Sequence, residues 1–180
     1  MSLKKELSGR RSVQAKVEVP GSTQSAVERR SAEAELRTLI AKFAPAHLGL
    51  IVAMRRWLRK RLPTAHEVVY EYRDFFVISY SPNERGYEGV LGIRASADGV
   101  KLFFNRCKEL PDPAKLLQGS GGQVRSIDME GASTLARPEV ASLIDEAIAR
   151  NPVPFARAGR GSVVMSPSTS AKQRQRNRPA

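Results

Sequence analysis

VVYEYRDFFVISY, residues 68–80, is the stretch that decides the fold. In an extended chain Val68, Tyr70 and Tyr72 fall on one side and Val69 and Glu71 on the other, the period of two that marks a strand. Phe75-Phe76-Val77-Ile78 is apolar on both sides, the pattern of a strand in the middle of a sheet. A short link separates the two, which predicts antiparallel neighbours.

The same period continues toward the C-terminus. Gly89 to Ala95 reads as a third strand and Val100 to Phe104 as a fourth. Asp98-Gly99 lies between them as a hairpin turn, because such a turn requires positive φ. The segment from Pro111 to Leu117 predicts one or two helical turns, with Asp112 as cap, Pro113 at the first position and Gly119 at the exit. Gln123 to Met129 fits a fifth strand. A helix then starts at Pro138 with Val140, Leu143, Ile144, Ala147 and Ile148 on one stripe, and Pro152 bars its continuation. Toward the N-terminus the period becomes helical. Leu36, Leu39, Ile40 and Phe43 share one face, and Pro45 interrupts. A second helix carries Leu50, Ile51, Met54, Trp57, Leu58 and Leu62, and Pro63 ends it. The pattern predicts an α+β domain, an antiparallel sheet of about five strands packed by N-terminal and C-terminal helices.

Length and charge bound the rest. A chain of 180 residues predicts one domain. Its net charge of +12 is unevenly spread: +4 over residues 1–30, +2 over 31–150 and +6 over 151–180. The domain is therefore expected at 31–150, between disordered basic tails at 1–30 and 151–180 that cannot offset their ordering entropy by burial. One cysteine, Cys107, excludes an internal disulfide and a cysteine-based zinc site. No apolar run follows the basic N-terminus, and none approaches the roughly 20 residues of a membrane span. A cytoplasmic, non-membrane protein is expected.

Several constellations carry candidate chemistry. Gly119-Ser120-Gly121-Gly122 followed by Arg125 resembles an anion cradle, with backbone N–H groups around the ligand and Arg125 as a bidentate clamp. A phosphate loop of the strand-to-helix type is excluded, because this loop enters a strand and lacks Lys-Ser or Lys-Thr. The alternative is a helix exit with Arg125 paired to a carboxylate. Tyr72 and Tyr80, with Tyr87, would give polar handles to a pocket on the sheet face that helices leave open. Arg55, Arg56, Arg59 and Lys60 cluster opposite the apolar stripe of the second helix, so they read either as a solvated face or as a nucleic-acid contact helped by the tails. His47 and His66 have no metal-ligand spacing, and helix-end solvation is expected of both. Cys107 lies between Arg106 and Lys108, which would favour a reactive thiolate; without a resolving cysteine a structural thiol is favoured. No Ser-His-Asp order and no G-x-S-x-G elbow is present, so nothing argues for an enzyme.

The core resembles the YdhG-like domains, a bacterial family largely of unknown function. Four stretches carry the likeness: the helix ending Trp57-Leu58 with Pro63 and Glu67 beyond it; the aromatic strands Tyr70 to Tyr80; Glu109-Leu110-Pro111-Asp112-Pro113 with Leu116-Leu117-Gln118-Gly119-Ser120-Gly121; and Val124-Arg125 leading to Arg137-Pro138-Glu139 and Ile144-Asp145-Glu146-Ala147-Ile148. Together they cover about two-thirds of the chain. The family often has Tyr-Gly and a Pro where this chain has Tyr70-Glu71-Tyr72. The resemblance implies an α+β sandwich similar to frataxin-type proteins, and some members are proposed iron chaperones. The carboxylates Glu67, Glu71, Asp74, Glu84 and Glu88 are candidate hard-metal ligands, with Glu67 and Glu71 on one strand face by parity, and the resemblance is what makes iron the metal to consider. It supplies no catalytic motif. The leading expectation is a non-enzymatic binding module for a small anionic ligand or a protein partner. A frataxin-like iron chaperone and nonspecific nucleic-acid association stand as alternatives.

Overall fold

A computed structural model describes residues 23–166 of the chain. The segments 1–22 and 167–180, which hold most of the expected basic tails, lie outside the described residues.

The first helix, α1 (Ala26–Phe43), begins at a capping box. Ser25 accepts from the Glu28 backbone N–H, and the Glu28 carboxylate accepts from the Ser25 N–H at 2.8 Å, so two orphan donors are satisfied. Its stripe of Ala32, Leu36, Leu39, Ile40 and Phe43 is buried. Pro45 opens a single 3-10 turn, and α2 (Leu48–Arg61) follows. Five strands come next with one break: β1 (His66–Glu71), β2 (Phe75–Ser81), β3 (Leu91–Ser96), β4 (Gly99–Asn105) and, after a long connection, β5 (Val124–Asp128). The hairpin turns at Ala97-Asp98 rather than at Asp98-Gly99, and Gly99, with φ of +148°, already opens β4 opposite Ser96. Helix α3 (Pro138–Ala149) and a short strand β6 (Val163–Ser166) complete the fold.

The architecture is α+β, and the sheet is mixed with six strands in the order β5-β4-β3-β2-β1-β6. All pairs are antiparallel except β1 with β6, which run parallel with Glu67 opposite Val163. The register puts Val69, Phe76, Ile78, Ile93, Leu102, Phe104 and Ile127 on one face. These join Leu36, Ile40, Ile51, Met54, Leu58, Val140 and Ile144 from the three helices in one core. The opposite face carries Tyr70, Phe75, Val77, Gly92, Arg94 and Phe103.

Three expectations are corrected. The sheet is neither five-stranded nor wholly antiparallel, because the 151–166 segment returns and adds β6 to the edge at β1. The expected limits at 31 and 150 therefore both fall inside the fold. Gln24 shows why: its side-chain amide donates to the Val163 carbonyl at 2.7 Å and accepts the Val163 N–H at 3.0 Å. The segment from Pro111 to Leu117 is not a helix. Asp112 accepts the N–H groups of Leu116 and Leu117 at 2.9 and 2.8 Å, and Lys115 takes positive φ, so the carboxylate closes a turn instead.

Candidate functional site

The helix-free sheet face carries a groove of about 530 Å³. Two glycines shape its floor. A Cβ on Gly92 of β3 would sit 2.5 Å from the Phe103 ring, and one on Gly86, in the β2–β3 connection, would sit 1.8 Å from the Tyr70 hydroxyl oxygen. The Phe103 ring and the hydroxyl end of Tyr70 therefore lie against bare backbone, and a side chain at either glycine would displace them. Tyr72, Val77, Tyr87 and Val124 supply more apolar wall, while Ser79, Asn105, Gln123 and Arg106 supply polar groups. Arg106 is the only charged side chain among the lining residues. It stands on a left-handed backbone (φ 56°) and donates to the Asn151 side-chain oxygen at 2.8 Å. Beside the groove, Tyr72 stacks on Phe75 with centroids 4.5 Å apart, and the Arg94 guanidinium lies 4.1 Å from the Phe75 ring centre. Burial, and then the neighbouring Tyr72, push the Tyr70 hydroxyl pKa up, so it stays a neutral donor.

The expected ligand residues do not form one site. Tyr72 lines the groove. Tyr80 does not: it pairs with Glu67 and Leu91 on the helix-covered face and is fully buried. Its hydroxyl donates to Glu67 at 2.8 Å, and burial followed by that carboxylate pushes its pKa well up. Gly119, Gly121 and Gly122 stand on an exposed loop closed by reciprocal backbone bonds between Gln118 and Ser126. Arg125 folds back onto that loop, donating from Nε to the Gly121 carbonyl at 3.1 Å. By register it shares the helix-side face with Phe104, so it points away from the groove. Only Gln123 and Val124, at the loop's end, reach the groove.

The candidate metal and nucleic-acid residues turn out to hold one another. Glu67 is 2% exposed. It accepts from Arg55 Nη2 at 2.5 Å and from Arg59 Nη2 at 2.7 Å, besides Tyr80. Glu33 of α1 accepts from the same two arginines, at 3.0 Å from Arg55 Nη1 and 2.5 Å from Arg59 Nη2. Burial alone would raise the Glu33 carboxyl, but the two guanidinium groups hold it down at about 2. Burial likewise opposes the charge on Glu67, and Arg55 and Arg59 overcome it to keep that carboxyl low. Arg55, only 8% exposed, is lifted above its ordinary value because Glu67 and Glu33 outweigh its burial. Glu71, on the same strand face as Glu67, pairs with Lys42 at 2.6 Å. Neither carboxylate is free for iron, and among the described residues no group of three or more His, Cys, Asp or Glu side chains converges as a metal site. Arg55 is withdrawn from any solvated face, and Arg59, tied to the same carboxylates, keeps 35% of its side chain exposed; Arg56 and Lys60 remain exposed.

His66, Ser162 and Glu84 form a hydrogen-bonded chain that the sequence does not suggest. His66 Nδ1 lies 2.6 Å from Ser162 Oγ, which lies 2.9 Å from the Glu84 carboxylate. The serine occupies the middle, whereas a hydrolytic triad needs the histidine there. Ser162 is 1% exposed, and its N–H also points to His66 Nδ1 at 3.3 Å. The chain ties the start of β6 to β1 and presents no nucleophile. His66 is thus a buried strand residue rather than a helix-end one. Cys107 is buried with its thiol donating to the Phe104 carbonyl at 3.0 Å, and burial pushes its pKa up, so the neighbouring cations do not activate it.

No family model, curated protein or solved structure matches this chain. Among the described residues no single helix is long and apolar enough to cross a membrane. Sequence reasoning missed Tyr70, Phe103, Asn105 and Arg106 as groove residues. The signal was present for Phe103, which alternates with the core residues Leu102 and Phe104 and so belongs to the open face. The pairing that sets it over Gly92 is a matter of register and has no local mark.

Proposed function

We propose that the chain is a YdhG-like, non-enzymatic binding module whose open sheet face holds a small ligand with a flat ring and an anionic group. The observation that carries this reading is an aromatic lining set against two glycines and paired with a single cation. Phe103 against Gly92 and the hydroxyl end of Tyr70 against Gly86, with Tyr72 and Tyr87, give the groove aromatic surface, and aromatic surface favours a planar partner by stacking and burial. Arg106, with no acidic side chain among the groove's lining residues, gives the charge preference its sign. The size suits one small molecule, since ligand pockets run from about 300 to 1,000 Å³. The donors around the rim (Asn105, Gln123 and the tyrosine hydroxyls) suit a polar ring edge. The resemblance to YdhG-like domains agrees with a binding role and adds no reaction.

A thermal-shift panel of aromatic carboxylates and nucleoside monophosphates tests the reading. A hit raises the melting temperature of the unaltered chain, because a ligand that binds only the folded state stabilises it. Phe103→Ala then abolishes the shift, and Arg106→Met weakens the affinity about tenfold, the cost of one charge-assisted contact. A hit that binds both variants as tightly as the parent chain removes the groove from the reading. A panel without hits, alongside unchanged tyrosine and asparagine side-chain signals, sinks it.

A further inference from the structure

A second cleft, of about 400 Å³, opens at the far side of the ionic cluster. Arg29 of α1, Arg59 and Lys60 in the last turn of α2, and Arg160 in the segment before β6 surround it, with Glu67 as its one carboxylate among the described residues. The charges there do not cancel. Arg55 and Arg59 share the two carboxylates Glu33 and Glu67 and form a neutral set of four. Arg29, Lys60 and Arg160 are left without a carboxylate within ion-pair distance among the described residues. Arg29 gives its guanidinium only a backbone acceptor, the Gly161 carbonyl. Its pKa is drawn down by burial first and by Arg160 and Arg59 next, with Glu33 and Glu67 opposing.

The backbone holds this excess in place. Gly159 takes φ of +100°, and a Cβ on Gly161 would lie 1.7 Å from the Ala65 carbonyl oxygen. The Gly159-Arg160-Gly161 segment thus needs glycine on both sides of the arginine it displays. Three backbone donors that follow Arg160 are engaged elsewhere: Gly161 N–H on the Pro63 carbonyl, Ser162 N–H on His66 and Val163 N–H on Gln24. The charge that lines the cleft is carried by side chains, and those side chains are cations drawn from three separate segments. Such cations cost free energy by mutual repulsion unless an anion joins them.

We infer that this cleft binds the phosphate group of a small molecule, with Arg29, Lys60 and Arg160 as its ligands and the Arg59–Glu67 pair as its fixed wall. This site is separate from the sheet-face groove and does not depend on the reading given for it. The doubly charged, tetrahedral oxyanion matches three cations that approach from different elements, and the volume leaves space for a body of sugar size beyond the phosphate.

Isothermal titration with inorganic phosphate and with ribose 5-phosphate, on the full chain at constant ionic strength set by chloride, tests it. Both probes bind, and a melting-temperature rise follows that equimolar chloride does not give. Lys60→Ala and Arg160→Ala each weaken binding about tenfold. Both side chains are exposed and carry no ion pair among the described residues, so the variants melt near the parent chain in the absence of phosphate. The arginine Nε–H signals of Arg29 and Arg59 shift on titration in the unaltered chain. Absence of those shifts, or phosphate binding that survives in the Lys60→Ala, Arg160→Ala double variant, overturns the proposal. So does duplex DNA that binds with a salt slope reduced in the same variants while both small probes remain silent, since the cleft then serves a polymer backbone.

Discussion

Glu67 concentrates the energetics of the helix-covered face in one side chain. Its carboxylate is buried, yet it receives donors from Arg55, Arg59 and Tyr80, so the desolvation of the charge is offset on each oxygen. Removing the charge while keeping the shape leaves two arginines sharing Glu33 alone. Glu67→Gln is expected to cost about 3 kcal/mol, the range for breaking a buried pair by one partner. Tyr80→Phe removes a single donor to a charged acceptor, and about 2 kcal/mol is expected. Urea denaturation of the two variants checks both values, and equal losses would mean that the Tyr80 hydrogen bond accounts for the whole contribution of Glu67 and the arginine pairs add nothing to it. Strand parity read from the sequence places Glu67 and Glu71 on one face correctly. It cannot tell that this is the covered face, because that depends on α2 turning its arginines inward. On a helical wheel Arg55 and Arg59 lie opposite the apolar stripe, as a solvated face would. Arg55 is nevertheless covered and Arg59 partly so, because Glu33 of α1 and Glu67 of β1 meet them from two other elements.

At the scale of elements, the periodic segments were legible and the aperiodic return was not. Helices α1, α2 and α3 and strand β4 carry a period that burial on one side explains, and β2 shows the two-sided apolar run of a central strand. β6 is four residues long, follows a stretch of Pro, Gly and Arg, and shows no alternation of its own. Its pairing with β1 is a parallel, long-range contact, set by Gln24, by the His66–Ser162 bond and by the close approach of Gly161 to Ala65. The turn at Asp112 was misread as a helix for a related reason: an aspartate caps a helix and closes a turn with the same acceptor. Gly161→Val is expected to push β6 away from the sheet, since the new side chain collides with backbone rather than with a movable side chain. The amide of Glu67 donates to the Ser162 carbonyl at 2.9 Å. Its hydrogen exchange should therefore accelerate at least tenfold in the variant, with protection retained at Ile78 and Ile93 in the interior of the sheet. Uniform acceleration across β1 to β4 would mean that β6 is integral to the cooperative core rather than a strand added to its edge.

For the molecule as a whole, the sequence separated a nearly neutral centre from basic ends, and the fold redraws that border by taking residues 24–30 and 151–166 into the body. The redrawn body carries Arg29 and Arg160, so part of the charge assigned to tails belongs to a shaped cleft. The same ionic cluster and the buried histidine make global stability depend on pH in two separate windows. His66 has its pKa lowered below 6.5, by burial first and by Arg29 after, with Glu84 opposing. The unfolded chain therefore takes up that proton before the folded one does. Stability is whole above pH 6.5 and declines as the pH falls below it. Glu33 falls from 4.5 to about 2 on folding, and Glu67 moves in the same direction. Their contribution is whole above pH 4.5 and is lost as the pH drops toward 2. Melting temperatures measured from pH 8 to pH 2 should accordingly fall in two steps. In His66→Gln the first step disappears and the second remains. Glu33→Gln starts from a lower plateau, and its second step shrinks because one of the two low carboxyls is gone. A single acid transition, unchanged in both variants, would place the pH dependence outside the cluster and the buried histidine.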